Sequence, residues 1–363
     1  MSFFDIFSPN IVFCFALSYN EIIIMIQALL SFLAVFAASF LLLPLVIKLA
    51  KRLKLRQTVL HYVEEHQKKS GTPTMGGIGF ILPLILSAFF SRGNRSLLWV
   101  VIAVTFAYMV VGFLDDFLKV YFKKNDGLKA WQKIIFQLAI AVIVSVFAFL
   151  NPSVGGNIYV FFGFRQVNLG WFAIPFYILV FVAFTNSVNL TDGLDGLASS
   201  VGIVYTAFFA AILALSVSIG SELFLSGGQA ISAARADEIH NLIVFSLGLA
   251  GGLVAFMCYN GYPAKIFMGD TGSLGLGGAL ASLAIFSGRI LIVPILGIMF
   301  MVSSVSVILQ VLYFKKTKGK RIFLMAPFHH HLEKKGVHET KIGLYYSIIT
   351  AIAGVLCIVF ILI

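Results

Sequence analysis

The stretch Val110-Val111-Gly112-Phe113-Leu114-Asp115-Asp116-Phe117-Leu118-Lys119 joins a long apolar run to a pair of adjacent carboxylates. The apolar run extends from Leu97 to Leu114, which is long enough for a membrane-spanning helix. An ionised aspartate in the middle of such a helix costs about 2.5–3.5 kcal/mol on insertion scales, and one near the end costs less. Two adjacent carboxylates here therefore need partners, such as a cation, a metal ion or water.

The composition is that of a helical membrane protein. Of the 363 residues, 60% are hydrophobic and 11% are charged, and the mean hydropathy is +1.00; soluble proteins carry about 25% charged residues. The three cysteines lie in apolar runs without a Cys-x-x-Cys motif, so they argue neither for disulfides nor for a zinc site. Residues 1–21 lack the features of a cleaved signal peptide, so we expect a lead-in segment there and a single transmembrane domain at 22–363.

Ten apolar stretches predict an all-α polytopic membrane protein with about ten transmembrane helices. They span residues 22–47, 74–90, 97–114, 134–150, 171–188, 197–219, 241–259, 272–287, 290–313 and 342–363. One set of alternate connections comprises residues 48–73, 115–133, 189–196, 260–271 and 314–341. Of the 26 Lys and Arg residues, 21 lie in this set and 5 on the other side. The positive-inside rule therefore predicts that this set is cytoplasmic and that both termini are periplasmic or extracellular. Because topology explains the net charge of +11, we expect no nucleic-acid partner.

If Asp115 and Asp116 lie on a helix, the two residues have different neighbours. Adjacent helical residues point about 100° apart, so Asp115 and Asp116 cannot stack as a proton-sharing dyad. Asp115 has Lys119 four residues later in the favourable acid-first order, whereas Asp116 has the apolar Val120 there. Asp116 is therefore expected to find its partner elsewhere in the fold, unless both are ordinary interfacial charges.

Two further motifs are rich in carboxylates and amides. In the segment 186–196, two asparagines and two aspartates each lie three residues apart, so each pair shares one helix face. In the segment 260–273, Asp270 stands between glycines and beside hydroxyl residues, which suits an oxygen-ligated metal or a phosphate. The simpler interpretation of both motifs is an aspartate that caps the following helix.

Two other motifs would attract anions. The segment 68–77 combines two lysines with glycines and a proline at a helix entry, where free backbone N–H groups hold anions. The segment 326–333 contains three consecutive histidines, which lack the i,i+4 spacing of a helical zinc pair. An ordinary loop-to-helix turn and a solvated histidine loop are the simpler interpretations.

Taken together, these residues indicate a metal-assisted phosphoryl transfer at the cytoplasmic membrane surface. Oxygen ligands without sulfur suit Mg²⁺ or Mn²⁺, and Mg²⁺ is usually held by one or two carboxylates together with substrate phosphates. A ring of lysines and histidines around such a site implies a reaction between a cytosolic phosphate ester and a lipid.

The motifs resemble the phospho-N-acetylmuramoyl-pentapeptide transferase family, within the polyprenyl-phosphate N-acetylhexosamine-1-phosphate transferase superfamily. The matching residues are Gly-Thr-Pro-Thr-Met-Gly-Gly at 71–77, the Asp115-Asp116 pair, Asn-Leu-Thr-Asp-Gly-Leu-Asp-Gly at 189–196, Phe-Met-Gly-Asp-Thr-Gly-Ser at 267–273 and Pro-Phe-His-His-His-Leu-Glu at 327–333. The resemblance covers the chain from about residue 22, and the three histidines look like the muramoyl-pentapeptide branch.

The resemblance implies a reaction of peptidoglycan biosynthesis at the bacterial inner membrane. UDP-N-acetylmuramoyl-pentapeptide and undecaprenyl phosphate would give lipid I and UMP, with Mg²⁺, at an active site facing the cytoplasm. Asp270 would be the metal ligand and a catalytic residue, Asp115 and Asp116 would bind or activate the lipid phosphate, and Phe267 would stack on uracil. The other residues implied to line the nucleotide pocket or to surround the phosphates are Lys69, Thr74, Lys119, Lys133, Asn186, Asn189, Asp192, Asp195, Asn260 and the catalytic-site histidines His329, His330 and His331.

Two alternatives remain open at this point. A transferase that uses UDP-N-acetylglucosamine would need the same chemistry, and competition between the two sugar nucleotides would separate it. An ion-coupled transporter would place its acids near mid-span, whereas these lie at helix ends. The sequence also leaves open a one-step or a covalent two-step mechanism, the accepted pentapeptide variant and whether the protein forms a homodimer.

The charge asymmetry predicts that Lys318 and His330 face the cytosol. In a background without native cysteines, Lys318→Cys should resist an impermeant thiol reagent in intact cells and react after permeabilisation. Arg165→Cys, on the predicted outer side, is the matched control and should react in intact cells. Labelling of Lys318→Cys from outside would overturn the topology.

Overall fold

Helices make up most of the computed structural model, which describes residues 19–53, 55, 71–122, 127–160, 166–223 and 233–362, with side chains from residue 22 onward except 218–233. The helices are α1 Tyr19–Arg52, α2 Gly77–Ile81, α3 Ser96–Tyr121, α4 Ala130–Leu150, α5 Ala173–Thr191, α6 Leu197–Leu223, α7 Ala233–Asn260, α8 Gly269–Ser287, α9 Val293–Leu296, α10 Ile298–Lys316, α11 Phe328–Lys334 and α12 Glu339–Leu362. Short 3₁₀ helices occupy Leu82–Phe89, Gly170–Phe172 and Ile290–Ile292. The predicted lead-in at 1–21 lies almost wholly outside these residues.

Eight helices in the described part of the chain are long and apolar enough to cross a membrane, namely α1, α3, α4, α5, α6, α7, α10 and α12. The protein is therefore a polytopic, predominantly helical membrane protein, as the composition predicts. Two of the ten predicted spans have a different form. The stretch 74–90 contains α2 and a 3₁₀ helix, together only Gly77–Phe89, and the stretch 272–287 forms the glycine-rich α8. The count of ten spans and the orientation of the termini stay predictions.

The ninth predicted stretch, 290–313, is broken in the structure. A 3₁₀ turn and the four-residue α9 precede α10, and the chain changes direction at Gly297. Pro294 stands near the start of α9, where its missing N–H is tolerated. Local backbone chemistry therefore divides a run that hydropathy alone presents as continuous.

Helix α8 is the centre of the bundle. Every residue from Thr271 to Ser287 is buried, and α8 packs most extensively against α3 and α5. Its low side-chain volume lets these neighbours come close. A Cβ atom added to Gly112 of α3 would collide with the backbone carbonyl of Asp270, and one added to Gly77 of α2 would collide with the backbone of Gly272. These contacts place the amino end of α8 against the acid pair of α3.

The opposite end of the bundle, predicted to be extracytoplasmic, carries a polar network that the sequence did not suggest. Buried Glu238 of α7 accepts hydrogen bonds from Asn94 Nδ2 at 2.9 Å and from Arg235 Nη1 at 3.3 Å. Arg235 Nη2 also donates to the Phe286 carbonyl at 2.9 Å, near the end of α8. This network joins α7, the turn before α3 and the carboxyl end of α8. It is a structural clamp on the helix that carries Asp270 at its other end.

A two-stranded hairpin lies on the same side. Strand β1 Asn157–Tyr159 pairs antiparallel with β2 Gln166–Asn168, with Ile158 opposite Val167. The hairpin lies beside the end of α8, because Tyr159 N–H donates to the Gly288 carbonyl at 2.9 Å.

The close approach of α3 and α8 predicts that Gly112→Ala lowers the stability of the folded protein. The new methyl group would meet backbone, which cannot rotate away, so overpacking should cost about 1–3 kcal/mol and lower the melting temperature of the purified protein by several degrees. Gly343→Ala in α12 is the matched control, because the nearest atom to its Cβ would be Ser200 Oγ at 3.9 Å. Equal melting temperatures for the two variants would contradict this packing.

Candidate active site

Three carboxylates meet where α3 contacts the amino end of α8. Asp115 and Asp116 of α3 and Asp270 of α8 each offer an oxygen, and these oxygens lie within 4.8 Å of one another. Asp115 and Asp116 are buried, and Asp270 is partly accessible. The sequence predicts that these residues form one constellation, and the structure brings all three together.

Two lysines neutralise most of this charge. Lys119 Nζ lies 2.6 Å from Asp115 Oδ2 and 2.9 Å from Asp270 Oδ2. Lys133 Nζ, from α4, lies 3.0 Å from Asp115 Oδ2 and 2.6 Å from Asp270 Oδ2. The predicted pairing of Asp115 with Lys119 is therefore confirmed. With all three carboxylates ionised, the two ammonium groups leave a net charge of −1 at the cluster, which favours a cation.

Asp116 has a different set of partners from Asp115. Its Oδ1 accepts a hydrogen bond from Asp270 N–H at 3.2 Å, and its Oδ2 accepts from Thr271 N–H at 2.9 Å and Thr271 Oγ1 at 2.7 Å. Asp116 thus satisfies two of the N–H groups that a helix amino end leaves without partners, and its charge complements the helix dipole. The cap of α8 comes from α3, and Asp270 does not cap its own helix as the simpler interpretation of its motif required.

Asp115 has both oxygens engaged. Its Oδ1 accepts from Leu128 N–H at 2.8 Å, and its Oδ2 contacts both lysines. This arrangement ties the start of α4 to α3 and directs Lys119 and Lys133 toward Asp270. The two adjacent acids therefore point to different partners, as the angle between neighbouring helical residues predicts.

The asparagine at 189 completes the surroundings of Asp270. Asn189 Nδ2 donates to Asp270 Oδ1 at 2.6 Å and to Ser273 Oγ at 2.8 Å. Both amide hydrogens are used, so the carbonyl oxygen of Asn189 remains to accept a hydrogen bond or to ligate a cation. The cluster thus offers carboxylate and amide oxygens, which are suitable ligands for a hard divalent cation.

The next predicted residues fix the loops beside the cluster. Buried Asn260 accepts from Gly196 N–H at 3.1 Å and Ser199 Oγ at 3.0 Å, and it donates to the Ile266 carbonyl at 3.0 Å. Asp195 Oδ2 accepts from Ala264 N–H at 2.9 Å. These side chains hold the segment 192–196 against the segment 261–268. In this structure their hydrogen bonds are made to other groups of the protein.

The segment around Thr74 pairs with the segment around Phe267. Phe267 N–H donates to the Pro73 carbonyl at 2.8 Å, and Gly76 N–H donates to the Phe267 carbonyl at 2.9 Å. Buried Thr74 lies beside Gly269, whose φ of +70° favours glycine. The Phe267 ring stays partly exposed at the edge of the cluster. Lys69, predicted to join this group, lies outside the described residues.

The three histidines do not share one neighbourhood. A Cβ atom on Gly193 would meet Nε2 of both His329 and His330, so these two rings lie against the loop that holds Asp192. His331 is turned the other way, where its Nδ1 accepts from Leu324 N–H at 3.1 Å and its ring stacks on Phe328. The structure therefore brings two of the three predicted imidazoles to the site.

Comparison with known proteins shows the family of the chain. The family described as Glycosyl transferase family 4 matches residues 98–288. A phospho-N-acetylmuramoyl-pentapeptide-transferase of Clostridium novyi is 43% identical over 331 residues, covering 91% of this chain and 94% of that protein. The chain belongs to the phospho-N-acetylmuramoyl-pentapeptide-transferase family. Proteins with the same name from Caldanaerobacter subterraneus subsp. tengcongensis and Acetivibrio thermocellus are 46% and 42% identical, covering 79% and 90% of this chain and 84% and 92% of theirs.

Several residues of this transferase site were not identified as site residues from the sequence. Thr271 and Ser273 were noted only as hydroxyl residues near Asp270, and their contacts with Asp116 and Asn189 depend on how α3, α5 and α8 pack. Glu339, which accepts from Asp195 N–H at 3.3 Å, lies 144 residues away in the chain. The only local signal was the position of Glu339 three residues before the predicted span 342–363.

Asp192 carries an energetic cost in the folded protein. Burial, together with the charges of Asp270, Asp116 and Asp195, raises the pKa of Asp192 well above its usual range. A carboxyl with a higher pKa in the folded state lowers stability as the pH rises above its unfolded-state pKa of about 3.9, and the loss is complete above the folded-state pKa. A side chain held at such a cost is a candidate for contact with substrate.

This cost predicts that Asp192→Asn is more stable than the unsubstituted protein at about pH 8, with a gain that shrinks toward zero near pH 4. Thermal unfolding of the purified protein at both pH values measures the difference. Asp237→Asn is the control. This substitution removes an ion pair with Arg92 at 3.5 Å, so it should not raise the melting temperature at either pH. If Asp192→Asn does not raise the melting temperature at pH 8, Asp192 does not carry this energetic cost.

Proposed function

We propose that this protein transfers phospho-N-acetylmuramoyl-pentapeptide from UDP-N-acetylmuramoyl-pentapeptide to undecaprenyl phosphate, forming lipid I and UMP. The observation that carries the proposal is the cluster of Asp115, Asp116 and Asp270, bridged by Lys119 and Lys133 at the ends of apolar helices. The relatives bear the muramoyl-pentapeptide name, so the alternative with UDP-N-acetylglucosamine is not favoured. The bacterial relatives and the Lys and Arg asymmetry support a site on the cytoplasmic side of the inner membrane.

The oxygen donors of the cluster fit Mg²⁺. Asp270 is the principal ligand we propose, because it is the most accessible of the three carboxylates and its second oxygen lies near Asn189. Asn189 stands close enough to contribute its amide oxygen. Bound Mg²⁺ would neutralise charge on the pyrophosphate, as metal ions do in other phosphoryl transfers.

Both substrates are anions that repel each other, and the positive charges of the two lysines would reduce this repulsion. Lys119 is 34% exposed and Lys133 is 19% exposed, so both ammonium groups reach the surface of the cluster while they contact Asp270. We propose that they receive the phosphates as substrate enters. Ammonium groups prepositioned by carboxylates need little reorganisation when charge builds up in the transition state.

The lipid phosphate needs little activation as a nucleophile. A phosphate monoester has a second pKa of about 6, so its oxygen is largely ionised near neutral pH. It would attack the β-phosphorus of the sugar nucleotide, and the bond to the α-phosphate oxygen would break to release UMP. Because both oxygens of Asp115 are occupied by Leu128 N–H and the lysines, we assign Asp115 to holding these lysines and not to proton removal.

The nucleotide would lie between the Phe267 ring and the loop of Asp192. The partly exposed Phe267 ring would stack on uracil, and Asp192 would accept hydrogen bonds from the nucleotide. His329 and His330 lie against Gly193, and we propose that they support this loop where it would meet the phosphates. Asn260 and Asp195 would keep these two walls at a fixed separation.

The direct test measures UMP release by the purified protein. Release should require UDP-N-acetylmuramoyl-pentapeptide, undecaprenyl phosphate and Mg²⁺ together, and UDP-N-acetylglucosamine should not replace the sugar nucleotide. Asp270→Asn should lose about 10²-fold or more of the turnover and weaken the dependence on Mg²⁺.

Asp237→Asn, at the other end of the bundle, is the control and should retain full turnover. Near-normal turnover by Asp270→Asn with an unchanged Mg²⁺ optimum would remove Asp270 from the metal site. Equal use of the two sugar nucleotides would favour the alternative donor.

A further inference from the structure

A buried amide on α4 touches the active-site helices at a place that the mechanism above does not use. Gln137 is fully buried, and its Oε1 accepts a hydrogen bond from Asn186 Nδ2 of α5 at 2.6 Å. The same Nδ2 also donates to the Val182 carbonyl at 2.7 Å. On the other side, the Gln137 carbonyl accepts from Tyr108 OH of α3 at 3.2 Å. Gln137 therefore connects α4 to both α3 and α5.

The donors and acceptors fix how these two amides are turned. Asn186 uses both amide hydrogens, one for Gln137 and one for its own helix, so its Nδ2 has nothing left to donate. A flipped Gln137 would place its NH₂ group against that of Asn186, and two donors would face each other. The hydrogen bond thus holds one orientation of each side chain.

The contact lies one helical turn below the charged cluster on both helices. Lys133 precedes Gln137 by four residues in α4, and Asn189 follows Asn186 by three residues in α5. Because the two helices are antiparallel, Lys133 and Asn189 both project from this contact toward Asp270, which they reach at 2.6 Å each. A shift of α4 along α5 would move Lys133 relative to Asn189 and change the distance from Lys133 to Asp270.

Gln137 also carries a cost that packing alone does not explain. Its Nε2 is buried and has no hydrogen-bond partner among the described residues. An unpaired buried donor is unfavourable, and an apolar side chain of similar shape would avoid it. A polar residue that weakens the fold at this place is expected to serve the site.

We infer that Gln137 is a positioning residue: through its hydrogen bond to Asn186 it sets the register of α4 on α5, and so places Lys133 on Asp270 beside Asn189. The inference rests on the proposed transferase activity. It predicts an effect on turnover more than on nucleotide binding, because the residues it positions surround the reacting phosphates and not the Phe267 ring. Small displacements of positioned groups lower rates strongly.

The test compares Gln137→Met with two matched variants. Gln137→Met removes the acceptor and the unpaired donor but keeps the volume, so kcat should fall about tenfold or more while the KM for UDP-N-acetylmuramoyl-pentapeptide changes by less than about twofold. Its melting temperature should stay unchanged or rise. Gln137→Glu keeps an acceptor for Asn186 and should retain most of the turnover.

Ser145→Ala is the control for buried polar residues of α4. Ser145 is buried eight residues further along the helix, without a hydrogen-bond partner among the described residues, and its replacement should leave kcat unchanged. If Gln137→Met cannot be obtained folded, Gln137→Leu removes the same hydrogen bond and should show the same loss of kcat.

Three results would overturn the inference while leaving the proposed function intact. The first is a normal kcat in the folded variant that lacks the hydrogen bond. The second is a loss of kcat that is proportional to the fall in melting temperature. The third is an equal loss of kcat in Gln137→Glu and Gln137→Met. Absence of UMP release by the unsubstituted protein would instead refute the proposed function.

Discussion

The site depends on two lysines that hold carboxylates together inside a bundle of apolar helices. Asp115 and Asp270 would repel each other strongly in this surrounding, yet both contact Lys119 and Lys133 at 2.6–3.0 Å. Burying such charges is costly unless each is paired and hydrogen-bonded. The pairs therefore do more than balance charge, because they fix α3, α4 and α8 against one another at the end where substrates would enter. Removal of either lysine would leave Asp115 and Asp270 to share a single ammonium group.

Helix α8 converts this local pairing into a property of the whole fold. Its small residues allow close contact with α3. Asp116 caps its amino end by accepting hydrogen bonds from the backbone N–H groups of Asp270 and Thr271. Its carboxyl end lies in the network of Glu238 and Arg235 at the opposite end of the bundle. Asp270 is thus carried by a buried helix that is held at both ends. Such a support suits a residue that must keep its position while anionic substrates exchange beside it.

The sequence predicts the helices and most of the charged site, for a physical reason. In a chain with few charges, each acid at the end of an apolar run stands out, which is how Asp115, Asp116 and Asp270 are found. The i,i+4 contact of Asp115 with Lys119 follows from helix geometry. The cap that Asp116 gives to α8, and the pair of Gln137 with Asn186, join segments far apart in sequence. No local pattern encodes such contacts. Similarly, the burial of α8 depends on its neighbours, and the break before α10 depends on a turn that hydropathy averages out.

The central claim is that the carboxylate cluster and its lysines form one site for a divalent cation and the substrate phosphates. Electron paramagnetic resonance of the purified protein with Mn²⁺ in place of Mg²⁺ tests this most directly. One Mn²⁺ per chain should bind, and UDP-N-acetylmuramoyl-pentapeptide should add a ³¹P hyperfine coupling to its spectrum. Both signals should be lost in Asp270→Asn. Mn²⁺ binding and ³¹P coupling that persist in that variant, or a bound Mn²⁺ without coupling to the substrate, would contradict the account.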